Sequence, residues 1–260
     1  MEKPIRVDGA YAAPQLASFG ADFKALIFGA TGALGGAFAD ALLQQAHTLV
    51  TASRGDLPET AAARQHHFVC DIGEEASLAA MATAASELAP FDLIINATGL
   101  LHDGAFDVQP EKAMRQISAD AMARVFAVNA IGPALIMKYF LPLLARDKKA
   151  VMAHLSARVG SISDNRLGGW YSYRAAKSAQ NMLVRTAAIE FARRAPNGVI
   201  VGLHPGTVDS NLSAPFQRGT SPDKVFAPAR AVAHLLGVIE NLTAADSGGV
   251  FAWDGARLEA

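Results

Sequence analysis

Short apolar runs alternate along this chain with longer stretches whose apolar residues recur at helical spacing. Lys24–Phe28 (KALIF) is stopped by Gly29, and residues 36–45 then carry apolar side chains three and four positions apart. Thr48–Ser53, 67–70, 91–96, Ala150–Leu155, 199–204 and 249–253 read as further strands. Residues 77–88, 119–145, 172–195 and 228–242 read as helices, and 57–65 is polar and Ala-rich. Pro133 and Pro142 lie inside the 119–145 pattern and predict a kink there. Strands spaced by helices predict βαβ units. The expected fold is α/β: a Rossmann-type, doubly wound, mostly parallel seven-stranded sheet with helices on both faces. Residues 23–260 form one domain in this reading, and 1–22, which show no clean period, form an N-terminal extension.

The composition narrows the function classes. Hydrophobic residues make up 51% and charged residues 18% of 260, which excludes a disordered chain. The net charge of −1, with no basic stripe, argues against a nucleic-acid partner. The single cysteine, Cys70, forms neither an internal disulfide nor a multi-Cys metal site and reads as a small buried residue at a strand end. No uninterrupted apolar stretch reaches the ~18 residues of a membrane span, and no apolar signal core opens the chain, so a cytoplasmic protein without a membrane partner is expected. No metal-ligand cluster stands out; His66 and His67 are adjacent on a strand and point to opposite faces.

Chemistry first enters at the turn after the first strand. Gly29, Gly32 and Gly35, followed by Gly36, lie between a strand and a helix, where a dinucleotide fold needs them. One glycine allows the turn, one lets a pyrophosphate approach the main chain, and one lets helix and strand pack closely. The helix start then offers free N–H groups to phosphate, which marks Thr31, Ala33 and Leu34 as cofactor-binding with the three glycines. After the second strand, Ser53-Arg54 stands where many NAD binders carry an acidic residue. A guanidinium and a hydroxyl suit a 2′-phosphate, so NADP(H) is expected over NAD(H). Asp56, close behind, is the competing acceptor for a ribose hydroxyl.

Tyr173 and Lys177 are four residues apart on a predicted helix and share one face. Reduction of a carbonyl by hydride leaves an alkoxide that needs a proton. A free phenol has a pKa near 10, and a nearby ammonium lowers it. Tyr171 is a decoy, since its fourth neighbour is Ala175.

With Gly29 to Gly35, Asp71, Asn96-Ala97-Thr98-Gly99, Asn129, Ser156, Tyr173, Lys177 and Pro205-Gly206 in this order, the chain resembles a short-chain dehydrogenase/reductase over residues 24–254. The stretch from Leu155 to Ser161-Ile162, with Asp164-Asn165 and Gly168-Gly169 before Tyr173, is most similar to the C-factor-like carbonyl reductase branch. The resemblance implies that Tyr173 is the general acid or base, that Lys177 lowers its pKa and holds the nicotinamide ribose, that Ser156 orients the carbonyl, and that Asn129 holds a relay water. It implies that Asp71 and Ile72 border the adenine, that Asn96, Ala97, Thr98 and Gly99 line the cofactor, and that Pro205, Gly206, Thr207 and Val208 close over the nicotinamide. A homo-oligomer, dimer or tetramer, is implied as well.

Three departures from the family pattern stand out. Ser156 lies 17 rather than 13 positions before Tyr173, with Ser161 and Ser163 as alternatives; Thr98 replaces the usual Ala; Ser210 replaces a common Thr. Residues 211–227 read as a substrate lid. Leu212 and Phe216 on it, with Asn165, Trp170 and His102, are the candidate substrate contacts for a small carbonyl or alcohol. The expected activity is therefore hydride transfer between nicotinamide and a carbonyl/alcohol carbon. The rivals are a nucleotide-binding sensor or signalling protein without turnover and a sugar-nucleotide epimerase, for which the chain is short.

Overall fold

The computed structural model describes residues 6–7, 10–56, 64–218, 221 and 224–259; most of the Ala-rich stretch 57–65 lies outside them. The central sheet is built from β1 (Lys24–Phe28), β2 (Thr48–Ser53), β3 (Gln65–Val69), β4 (Leu93–Asn96), β5 (Ala150–Leu155), β6 (Gly198–His204), β7 (Val250–Ala252) and β8 (Arg257–Leu258). Their order is β8-β7-β6-β5-β4-β1-β2-β3. All pairs are parallel except β7 with β8. The sheet thus has eight strands, not the expected seven. The eighth arises because the chain reverses at Asp254-Gly255, with Gly255 at φ +82°, and folds back on β7.

The helices are α1 (Ala33–Leu43), α2 (Glu75–Ala85), α3 (Ala119–Phe126), α4 (Gly132–Phe140), α5 (Tyr171–Phe191) and α6 (Pro228–Asn241). The two-residue period of the strands sorts their side chains into two cores. Ala25 and Ile27 of β1 and Val151, Ala153 and Leu155 of β5 pack under α1 and α6. Leu26 and Phe28 of β1, with Ala150 and Met152 of β5, pack under α2, α4 and α5. Phe28 meets Phe140 of α4 edge-on at 4.8 Å. Leu16 and Phe19, ahead of the first strand, are buried in the α1/α6 core. Ser18 fastens this segment to Glu240 on α6.

The kink expected in 119–145 is a π turn over Ala127–Ile131. Pro133 has no N–H to bond four residues back, and the wider turn accommodates its ring. Ala119–Leu143 as a whole is long and apolar enough to cross a membrane by length and composition. Here it lies on the sheet, with Ile136, Met137 and Phe140 buried in the core.

Candidate active site

β1 pairs with β2 on one side and β4 on the other, so the winding reverses between β1 and β4, and ligand clefts open at the C-terminal ends of such strands. The Gly29–Gly35 turn and the Asn96–Gly99 loop both leave the sheet at this point. They touch. Gly29 has φ +86°, and a side chain on it would meet Thr98 Cγ2 at 3.1 Å and Ala97 C at 3.2 Å. A side chain on Gly35 would lie 2.0 Å from Gly29 O. These glycines exist because three pieces of backbone meet with no room for a β-carbon. Gly32 precedes α1 without any side-chain cap. The first N–H groups of α1, from Ala33 and Leu34 beside Thr31, are therefore left for an anion. The cradle fits a dinucleotide pyrophosphate.

At the end of β2 the Ser53 hydroxyl is engaged, donating to Gly55 O at 2.6 Å. His67 braces the same turn, with Nδ1 3.0 Å from Thr51 Oγ1 and Nε2 3.0 Å from Gly55 O. Arg54 is exposed and bonds to no described residue. Asp71 folds back on its own turn, its Oδ1 accepting from Gly73 N–H at 2.8 Å. Ile72 lies against α4 at Gly132. Cys70 is buried, and burial raises its thiol pKa.

The β4 loop explains the unusual Thr98. Asn96 Oδ1 accepts from both Thr98 N–H (3.1 Å) and the Thr98 hydroxyl (2.6 Å). That orients the Asn96 amide, so Nδ2 donates to His154 Nδ1 at 3.2 Å. His154 is fully buried and stays neutral, its pKa pushed to about 3 by burial and by the nearby Lys177 charge.

Tyr173 and Lys177 do lie together on the first turns of α5, both buried, with Lys177 Nζ 5.8 Å from the Tyr173 ring centre. Lys177 Nζ donates to Leu155 O (2.8 Å) and Gln180 Oε1 (2.9 Å). Gln180 in turn donates to Leu155 O at 3.2 Å. Burial pushes the Lys177 pKa down to about 7. Burial also pushes the Tyr173 phenol upward, against the expected lowering. Desolvation outweighs the ammonium, whose charge is held away by Leu155 and Gln180. The Tyr173 hydroxyl makes no hydrogen bond to any described residue, and it remains protonated at neutral pH.

Two further expected site residues bond within the protein. Ser156 is 4% exposed, and its hydroxyl donates to Asn181 Oδ1 at 2.7 Å. That bond ties the end of β5 to α5. The next residue, Ala157, packs into the apolar cluster of Leu101, Val108, Tyr173 and Ala176. Strand alternation sends adjacent side chains to opposite sides, and here it turns the hydroxyl away from that cluster and the methyl towards it. Ser161 and Ser163 are 3.3 Å apart and pair with each other. Asn129 sits in the π turn, and its side chain is fully engaged. It donates to Leu100 O (2.6 Å) and Val125 O (3.0 Å) and accepts from Leu100 N–H (3.0 Å). It anchors the β4 loop to the α3 end.

The far wall comes from 205–216 and 165–170. Gly206 has φ +79° and lies against the Phe226 and Trp253 rings. Thr207–Val208 pairs with Val225–Phe226, and Ser210 donates to Val208 O at 3.3 Å. Leu212, Phe216 and Trp170 pack on the Tyr173 cluster, and His102 contacts Phe216. Asn165 stays in an exposed turn, accepting from Gly168 N–H at 3.0 Å. Residues 219, 220, 222 and 223 of the expected lid lie outside the described residues.

Residues 24–220 match the family model for short chain dehydrogenases. The chain belongs to that family. It is 33% identical over 170 residues to C-signal of Myxococcus xanthus, covering 65% of this chain and 92% of that protein. It is 26% identical over 232 residues to the NADPH-dependent pterin aldehyde reductase of Arabidopsis thaliana, covering 86% and 90%. Among solved structures it superposes on the NADPH-bound carbonyl reductase from chicken fatty liver with a TM-score of 0.78 at 23% identity, covering 94% of this chain and 97% of that one. The chain is thus an oxidoreductase of the short-chain dehydrogenase/reductase class, with carbonyl reductases among its structural neighbours.

Glu111, His154, Gln180 and Asn181 were not legible as site residues. Gln180 and Asn181 follow Lys177 by three and four positions, a helical spacing that carries a signal. His154 was visible as the one polar residue in an apolar run. Glu111 carried no local signal, because its partner is Ser172, 61 residues away.

Proposed function

We propose that this chain reduces small carbonyl compounds with NADPH, Tyr173 donating the proton to the oxygen that receives charge. The observation that carries the reading is the buried Tyr173–Lys177 pair, with the phenol bonded to no described residue and its pKa raised by burial. A protonated phenol can still give its proton to an alkoxide, which is the stronger base, so the pair suits the acid step of a carbonyl reduction. Bound NADPH would supply the hydride. Gly29, Thr31, Gly32, Ala33, Leu34 and Gly35 would hold its pyrophosphate and Arg54 its 2′-phosphate. Asp71 and Ile72 would border the adenine, the 96–99 loop and residues 205–208 the nicotinamide half, and Lys177 the ribose hydroxyls. In this reading Ser156 and Asn129 position α5 and the β4 loop.

Support for NADPH is the exposed Arg54 guanidinium at the end of β2 and the NADPH-dependent reductase among the relatives. Titration of the chain with NADPH and NADH by nicotinamide fluorescence tests it. Tight NADPH and weak NADH are expected, and Arg54→Ala is expected to weaken NADPH about tenfold or more while leaving NADH nearly unchanged. Equal losses for both would remove Arg54 from the phosphate site.

One observation favours a second reading, the similarity to C-signal. A signalling protein would keep nucleotide binding without turnover, so NADPH binding with no carbonyl consumed across an aldehyde and ketone panel would select it. Met182 and Ile189, seven apart on α5, are 67% and 50% exposed, and Ile131 is 54% exposed. These residues support a homo-oligomer, dimer or tetramer, with α5 in the contact.

A further inference from the structure

Three consecutive residues before the catalytic helix, Gly168, Gly169 and Trp170, have left-handed backbone, with φ of +64°, +67° and +51°. Glycine adopts this freely; a bulky side chain does not, and its presence marks a position held by its surroundings. The surroundings are explicit. Trp170 N–H donates to Glu111 O at 2.5 Å. The Glu111 carboxylate accepts from Ser172 N–H at 3.2 Å and from the Ser172 hydroxyl. Arg174 donates to Gly169 O at 3.0 Å and Val159 O at 3.3 Å. Glu111 is 4% exposed, yet it sits on the first turn of α5, where unpaired N–H groups favour an anion.

This clasp aims the indole along the cleft. Trp170 stands edge-on to Phe216 at 5.2 Å and to Tyr173 at 6.2 Å. Phe216 stands edge-on to His102 at 5.7 Å, and the His102 Nε2–H donates to Asn211 O at 3.0 Å, pinning the lid beside the ring. A continuous row of rings, His102, Phe216, Trp170 and Tyr173, thus runs from the lid to the proton donor. The first three are only half-buried, which leaves ring surface open beside the buried Tyr173.

We propose that Trp170 and Phe216 form an aromatic jaw selecting planar, aryl-bearing carbonyl compounds, and that Glu111 is the positioning residue that holds Trp170 in the jaw. The proposal rests on the reading of this cleft as the carbonyl site. A flat ring gains edge and face contacts with such walls that a saturated ring of the same size lacks.

The test compares benzaldehyde with cyclohexanecarbaldehyde, alike in ring size and carbonyl but different in planarity. Binding to the full chain is read by ligand-observed NMR titration in the presence of NADP+, which needs no turnover. The wild type is expected to bind benzaldehyde about fivefold more tightly or better. Trp170→Leu and Phe216→Leu are each expected to bring the ratio near one. Glu111→Ala is expected to do the same, and Glu111→Gln, which keeps a carbonyl oxygen for Ser172, to restore most of the preference. Equal affinities in the wild type, or a preference that survives Trp170→Leu, would overturn the jaw. Failure of a variant to fold leaves the wild-type ratio as a decisive readout. NADPH consumption with the same aldehydes is followed in parallel. A binding preference without consumption supports the jaw and overturns the reductase reading; consumption without preference does the reverse.

Discussion

Ser156 shows how much a residue's partner decides. The family resemblance implied that Ser156 orients the carbonyl, and in the structure its hydroxyl donates to Asn181 Oδ1 at 2.7 Å. Removal of such a buried bond costs about 1–3 kcal/mol, because Asn181 is left unpaired. Ser156→Ala is therefore expected to lower stability by roughly that amount in urea denaturation and to reduce kcat less than tenfold. A thousandfold loss of kcat in a folded Ser156→Ala protein would restore the catalytic role. Residue types and spacing made the proximity of Tyr173 to Lys177 and the tight packing at Gly29 and Gly35 readable in advance. Rotamer choice and long-range pairing decide where a hydroxyl points, and neither is written in local sequence.

At the scale of elements, strand and helix positions were legible to within a few residues, since apolar period and glycine stops mark them directly. β3 starts earlier than expected, at Gln65, because its outer face is solvent-facing and lacks the apolar signal. β8 was missed although Asp254-Gly255 is a turn pair between two runs. The glycine turn is where an element can be broken by one methyl group. Gly35→Ala would place a carbon 2.0 Å from Gly29 O, so β1 and α1 must separate. A loss of more than about 2 kcal/mol in stability is expected, together with loss of NADPH binding. Gly36, whose nearest neighbour to an added carbon is at 3.4 Å, is the control. Equal tolerance of alanine at both positions in thermal melts and NADPH titrations would mean that close packing at Gly35 is not what the turn requires.

For the whole molecule, buried titratable groups tie stability to pH. The unfolded chain keeps a proton on Lys177 up to its ordinary pKa near 10, whereas the folded chain releases it near 7. Between those values the unfolded state binds more protons, so stability rises with pH. His154 and His204, held near 3 and 4, add a rise at lower pH that is complete by about 6.5. The melting temperature is expected to climb from pH 4 to 6.5 and to climb further from 7 to 9. Lys177→Met is expected to flatten the upper climb; an unchanged slope there would place the lysine's titration elsewhere.

The central claim is that Tyr173 supplies the proton in an NADPH-dependent carbonyl reduction. The most direct measurement is NADPH consumption with an aldehyde by the wild type and Tyr173→Phe, beside the NADPH affinity of each. The account predicts that the rate falls by about a thousandfold or more while affinity stays within a few-fold, because the ring is kept and only the hydroxyl goes. An unchanged rate in Tyr173→Phe would contradict it.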